Sequence, residues 1–251
     1  MDSGNITTTI EHRIATISFY HPSSNSLPSN LLKQLAEEII QLDNQQAVNI
    51  IILKSKNDTT FCAGASFDEL ISISNEVDGL AFFSGFANVI NAMRKCSKLI
   101  IGRVQGKAVG GGVGLLAATD YCFATEQAAI KLSEFTIGIG PFVIAPAIER
   151  KMGIAALGEL TINATQWHNA YWAKEKGLFA RVFDSIDEMD QEIEILALKL
   201  ANYNPDGLKQ MKRVLWNGTD HWDDLLIERA AISGKLVLSD FTKEALKKFK
   251  K

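Results

Sequence analysis

Cysteine is scarce in this chain, and the little there is does not pair. Cys62, Cys96 and Cys122 are odd in number and widely spaced, which suits reduced thiols and gives no disulfide framework. No two share the CxxC spacing of a zinc site. The four histidines, His12, His21, His168 and His221, make neither HxxxH nor HExxH, so no metal is expected. Excess positive charge is also lacking. The 26 Lys and Arg stand against 29 Asp and Glu, a formal net charge of −3, whereas a broad nucleic-acid footprint needs a basic face. The apolar runs are too short, and too interrupted by glycine and charge, to span a bilayer. The opening stretch, Met1 to Ile10, has no signal-peptide apolar core. These absences point to a cytoplasmic, globular protein that works on small molecules, without nucleic acid or membrane as partner.

What is present is an ordinary globular composition, 47% hydrophobic and 22% charged over 251 residues, enough to bury a sizeable core. Ile6 to Ile10 and Ile14 to Phe19 alternate around Glu11-His12-Arg13 and predict a hairpin. A loop with Pro22 follows, then a helix from near Pro28 to Leu42 with Leu31, Leu32, Leu35, Ile39 and Leu42 on one face. Val48 to Leu53 and Leu99 to Val104 are continuous apolar runs of strand length, as in strands buried on both faces. Ser72 to Asp78 is polar and predicts a mobile loop ahead of a helix over Gly79 to Cys96. Asp120 to Ala124, Ala128 to Leu132 and Arg181 to Phe183 predict further strands. Phe142 to Met152, Ile154 to Asn163 and Gln166 to Lys176 predict consecutive helices, with Trp167, His168 and Trp172 as packing residues between them. From Asp187 onward the pattern is helical throughout, at about 187–201, 205–215, 220–234 and 240–250. The chain therefore divides into an α/β core over 1–190 and a helical region over 191–251.

Two short segments carry the chemical signal. Phe61-Cys62-Ala63-Gly64-Ala65-Ser66 and Gly110-Gly111-Gly112-Val113-Gly114 each join an apolar run to a helix start, and each is small enough for a ligand to reach the backbone. Two backbone N–H groups from separate turns, aimed at one point, can hold a developing oxyanion. A carboxylate follows at Glu134, flanked by Ile130, Leu132, Phe135 and Ile137, which predicts partial burial and a raised pKa. A polarised carbonyl beside a base is the apparatus for forming an enolate next to a thioester. Gly112-x-Gly114-x-x-Ala117 also fits a dinucleotide fingerprint, but Glu126 comes too early for the ribose acid and the motif lies far from the N-terminal start of the fold.

With these residues in place, the chain resembles the crotonase superfamily, the enoyl-CoA hydratase/isomerase family. The resemblance rests on Phe61 to Ser66, Gly106 to Leu115, Ala117-Ala118-Thr119-Asp120 and Leu132 to Gly138, and it extends over nearly the whole chain. It implies a spiral of ββα repeats with a helical C-terminal region, assembled as trimers or hexamers, and an acyl-CoA substrate with no separate cofactor. It implies that the amides of Ala65 and Gly111 form the oxyanion hole and that Glu134 is the catalytic acid–base. It also implies that CoA lies against Ser23, Ser24, Ala63, Ala65, Ser66, Phe67 and Gly111, with His21 an exposed member of the same loop. Phe82 to Ala92 and Phe142-Val143-Ile144 are expected along the acyl pocket. The lysines Lys243, Lys247, Lys248, Lys250 and Lys251 are expected on a solvated helix face.

Two departures from the family pattern matter. The family's first catalytic glutamate falls two residues past the third glycine, where this chain has Gly114, and an aspartate common after FCAGA is Ser66 here. Adding water to a 2-enoyl thioester ordinarily uses two acids; moving a double bond from carbon 3 to carbon 2 needs one. The single acid favours isomerisation. Hydration of a 2-enoyl-CoA, branched ones included, and a silent acyl-CoA- or partner-binding homologue are the alternatives.

Overall fold

The computed structural model describes residues 4–57 and 59–248. Runs of β-branched residues set the frame. The hairpin pairs β1 (Asn5–Glu11) with β2 (Ile14–Tyr20), turning at His12 and Arg13, both at positive φ. Helix α1 (Ser29–Asp43) follows, burying all five leucines and isoleucines of its predicted face. Then come β3 (Ile50–Ser55), β4 (Thr60–Cys62), α2 (Phe67–Ser72) and α3 (Glu76–Lys95). A second turn of the chain gives β5 (Leu99–Val104), β6 (Lys107–Val109) and α4 (Gly111–Ala117). A third gives β7 (Tyr121–Thr125) and β8 (Ala129–Lys131), a 3-10 turn over Glu134–Ile137, α5 (Ala145–Met152) and α6 (Ile154–Ile162). The core ends with β9 (His168–Asn169), α7 (Ala170–Glu175) and β10 (Arg181–Phe183). The helices α8 (Ile186–Ala201), α9 (Pro205–Leu215), α10 (Trp222–Leu236) and α11 (Asp240–Lys247) complete the described chain.

Each turn gives one strand to a large sheet, ordered β1-β2-β3-β5-β7-β10, and one to a small sheet, ordered β4-β6-β8-β9. Beyond the hairpin the large sheet is parallel, and it is covered on both sides. Ile51 and Ile100 face the main core with α1 and α3, while Ile50, Ile101 and Phe123 face Met189 and Ile193 of α8. This two-sided burial explains the unbroken isoleucine runs. The large sheet is the scaffold; the small sheet carries the two glycine-bearing turns.

Three local expectations differ from the structure. The segment Ser72 to Asp78 is not all loop, because Asn75 caps α3 by accepting the Asp78 amide at 2.9 Å, which starts the helix at Glu76. The predicted helix over Gln166 to Lys176 begins only at Ala170. His168 instead pairs with Ile130 as an antiparallel edge of the small sheet, its ring 4.0 Å from that of Trp172. Helix α5 starts at Ala145, since Pro141 to Ile144 form a turn. The residues of the C-terminal lysine cluster at Lys250 and Lys251 lie outside the described residues; Lys243, Lys247 and Lys248 are exposed.

Candidate active site

A buried asparagine organises the first turn. Asn25 is 0% exposed; its side chain accepts the His21 amide and donates to the carbonyls of Lys56 and Thr60 at 2.7 and 2.9 Å. This fastens the loop after β2 to the approach to β4. The loop then pairs with the first small-residue segment: Ala63 N–H donates to Ser24 O at 3.2 Å and Leu27 N–H to Gly64 O at 2.8 Å. His21 belongs to this ordered structure rather than standing free, since its Nδ1 accepts from Ser23 N–H and lies 3.3 Å from Ser26 Oγ. Gly64 turns the chain at φ +94, which an L side chain rarely adopts. Ser66 then caps α2 by accepting the Glu69 amide. Between them, the Ala65 amide donates no hydrogen bond to the described residues.

The second turn stands directly beside the first. Gly110 is tied to the small sheet by its N–H to Lys131 O at 3.0 Å and takes φ +52, ψ −120. Helix α4 then opens at Gly111, whose amide has no partner among the described residues, as expected of a first-turn donor. A Cβ on Gly64 would stand 3.7 Å from Gly111 N, and one on Gly112 would stand 2.5 Å from Cys62 O. Small residues here let two backbones touch. The two unspent amides sit on adjacent turns lining one cavity of about 360 Å³.

Glu134 enters that cavity from the third turn of the chain. Its Oε1 would lie 2.8 Å from a Cβ on Gly110, so the carboxyl rests on the glycine turn itself. The residue as a whole is half-buried, but its Oε2 is buried and has no hydrogen-bond partner among the described residues. Burial pushes its pKa up to about 7, against a smaller opposing effect from a backbone hydrogen bond. No other Asp or Glu among the described residues lines the cavity. Phe135, one of the apolar flanks of Glu134, is 48% exposed. Cys62, nearby, stays a thiol: burial pushes its pKa up to about 12.

Of the residues singled out in the sequence, Ala63, Ala65, Phe67, Gly111 and Glu134 line the cavity together. Ser66 does not; it is spent on the cap of α2. Ser23 and Ser24 are exposed on the loop outside the cavity, and only the Ser24 carbonyl reaches the first turn. Phe82, Phe83, Phe86, Val143 and Ile144 line the walls, but Phe142 and the rest of the stretch after Phe86 do not. At Gly114 the space a side chain would take is held by the Cγ2 of Ile144. Sequence reasoning missed Leu70, Ile139 and Ser233. The last arrives from α10, nearly a hundred residues after Glu134, and no local pattern marks it.

The family model described as enoyl-CoA hydratase/isomerase matches residues 9–249. A short-chain-enoyl-CoA hydratase of Clostridium acetobutylicum is 27% identical over 87% of this chain and 83% of its own length. A peroxisomal Delta(3,5)-Delta(2,4)-dienoyl-CoA isomerase of Arabidopsis thaliana is 26% identical over 76% of this chain and 72% of its own. The crystal structure of an enoyl-CoA hydratase from Bacillus halodurans superposes with a TM-score of 0.89 at 19% identity, covering 97% of this chain and 99% of that one.

Proposed function

Since the chain belongs to the enoyl-CoA hydratase/isomerase family, we propose that it binds an acyl-CoA thioester with the carbonyl oxygen between the amides of Ala65 and Gly111, and that Glu134 moves a proton on the acyl chain. The observation that carries this reading is the single inward carboxyl, unpartnered at Oε2, resting on the turn that presents the Gly111 amide. The α4 dipole adds favourable potential at that amide. Each such donor supplies roughly 2.7–4 kcal/mol of barrier stabilisation in other enzymes. Ser23 and Ser24 contact the CoA moiety from the outer loop, and no redox cofactor or metal takes part.

The reaction the site favours is a double-bond shift. Glu134 as carboxylate takes a proton from C2 of a 3-enoyl thioester. The pair left at C2 forms a C1–C2 double bond and pushes the carbonyl pair onto the thioester oxygen, where two amides hold it in conjugation with the C3–C4 double bond. The protonated Glu134 then returns the proton to C4, and the charge collapses to leave the 2-enoyl thioester. One group does both transfers, and a pKa near 7 suits donor and acceptor alike. Ile144 stands where a second acid would project, which supports isomerisation over hydration. Hydration of a 2-enoyl-CoA is the second reading, supported by the hydratase names among the relatives. Exposed Ile154, Ile162 and Tyr171 on α6 and α7 support association into trimers or hexamers.

Absorbance of the conjugated thioester separates these readings. With 3-hexenoyl-CoA it rises if the double bond moves; with crotonyl-CoA it falls if water adds. The first is expected to dominate, and Glu134→Gln to slow it by roughly 10²–10⁴-fold. A variant as fast as the parent would remove the assigned base.

A further inference from the structure

The cavity wall holds two buried oxygens without a hydrogen-bond partner among the described residues: Glu134 Oε2 and Ser233 Oγ. The first is accounted for by the proposed chemistry. The second is not. Ser233 is 1% exposed and sits on α10, where a serine hydroxyl could bond back to its own helix, yet does not. An unpartnered buried hydroxyl has given up its water with nothing in return. Alanine at this place would keep the packing without that cost, so the hydroxyl stands out.

Its place along the cavity follows from α3. At one end, the Phe86 ring fills the space beside Gly111, the proposed oxyanion donor. At the other, Gly79 meets Gly234 backbone to backbone; a Cβ on Gly79 would stand 2.7 Å from Gly234 O. Seven residues of helix separate the two, about 10 Å. The Gly79–Gly234 contact presses α10 against α3 and fixes the neighbouring Ser233 in the far wall. Between the two ends the surface is apolar, with Phe82, Phe83, Leu70 and Ile139. Among the described residues, no Lys or Arg joins Ser233 there. Lys131, the one cation of the lining among the described residues, belongs to the Glu134 end, two residues before Ser133, and its Nζ lies 4.6 Å from the Trp167 ring centroid.

We propose that Ser233 makes the far end of this cavity selective for an acyl chain bearing a neutral oxygen, hydroxyl or ketone, several carbons from the thioester. The apolar stretch takes the intervening methylenes, and the hydroxyl gains the partner it lacks. A carboxylate is disfavoured, because it would be buried without a cation. This rests on the acyl-CoA reading above and narrows its substrate class.

The test is calorimetric binding of saturated acyl-CoA thioesters, which needs no turnover. Omega-hydroxy, terminal methyl-ketone, omega-carboxy and methyl-ended chains are compared over a series of lengths. At one length the parent protein is expected to bind the hydroxyl- or ketone-bearing chain roughly tenfold tighter than its methyl-ended match. Ser233→Ala is expected to erase that difference, to bind methyl-ended chains at least as well as the parent, and to melt at the same temperature or higher. Methyl-ended chains that bind, with no length showing a polar preference, would overturn the assignment of Ser233 alone. A preference that survives Ser233→Ala, or tightest binding of the carboxylate, overturns it too. Failure of every thioester to bind would bring down the functional reading itself, and this one with it.

Discussion

Glu134 ties acidity to stability. In the unfolded chain its carboxyl ionises at the ordinary value of 4.5; in the fold burial holds the proton until about 7. Between those values the unfolded state carries fewer protons, so stability is full below 4.5 and falls as pH climbs through 7. The shift corresponds to about 3 kcal/mol at neutral pH and above. Denaturant titrations at a series of pH values check this: Glu134→Gln should gain on the parent by about that amount from pH 4.5 to 8, and match it below 4.5. Activity should run the opposite way. The base must be ionised to take the first proton, so kcat/KM for a 3-enoyl thioester should rise with pH and level off above about 7. At this scale the sequence told a good deal. A lone carboxylate among apolar neighbours signalled burial, and two glycine-rich turns signalled exposed amides. It could not tell that Phe135 would face solvent while Glu134 turned inward, because a 3-10 turn over Glu134–Ile137 breaks the alternation of the strand before it.

Among the elements, α4 shows how packing selects chemistry. Its glycines let it press against Cys62, Phe86 and Ile144, and the last contact removes the room for an acid at position 114. Gly114→Glu should therefore cost stability, roughly 1–3 kcal/mol from overpacking, with a further charge to bury. Pairing it with Ile144→Ala should recover much of that loss, and thermal melts of the single and double variants would show it. If the single variant melted with the parent, Ile144 would not be the obstacle. Elements with a long apolar period, such as α1 and β3, were legible in advance. Three short ones, β4, β6 and β9, were not. Strands β4 and β6 have three residues each and β9 has two, and pairing partners far along the chain, rather than local preference, make them strands. The start of α3 was legible but overlooked: Asn75 followed three residues later by Asp78 is a capping signal.

For the whole molecule, a buried charge joins the C-terminal helices to the sheet. Asp120, just before β7, receives hydrogen bonds from Lys212 Nζ at 2.6 Å, Trp216 Nε1 at 2.8 Å and the Ile100 amide at 2.7 Å. The Lys212 and Asp120 side chains are 2% and 3% exposed. Removing the lysine strands a buried carboxylate, so Lys212→Ala should cost about 3–5 kcal/mol in urea unfolding, well above a surface ion pair. A loss under 1 kcal/mol would show that water relieves the site. The α/β core followed by helices was readable from the change of pattern near Asp187. How those helices close on the core was not, since Asp120–Lys212 and Gly79–Gly234 join residues far apart in sequence.

The Gly79–Gly234 crossing also orders events in time. Amino acids 63 through 144 supply the amides, the acid and most of the wall, but the compartment has no end until α10 has docked. A nascent chain still lacking the segment through Leu236 would hold an open trough, its phenylalanines facing water. Substrate capacity would then arrive abruptly, with the completion of one late helix.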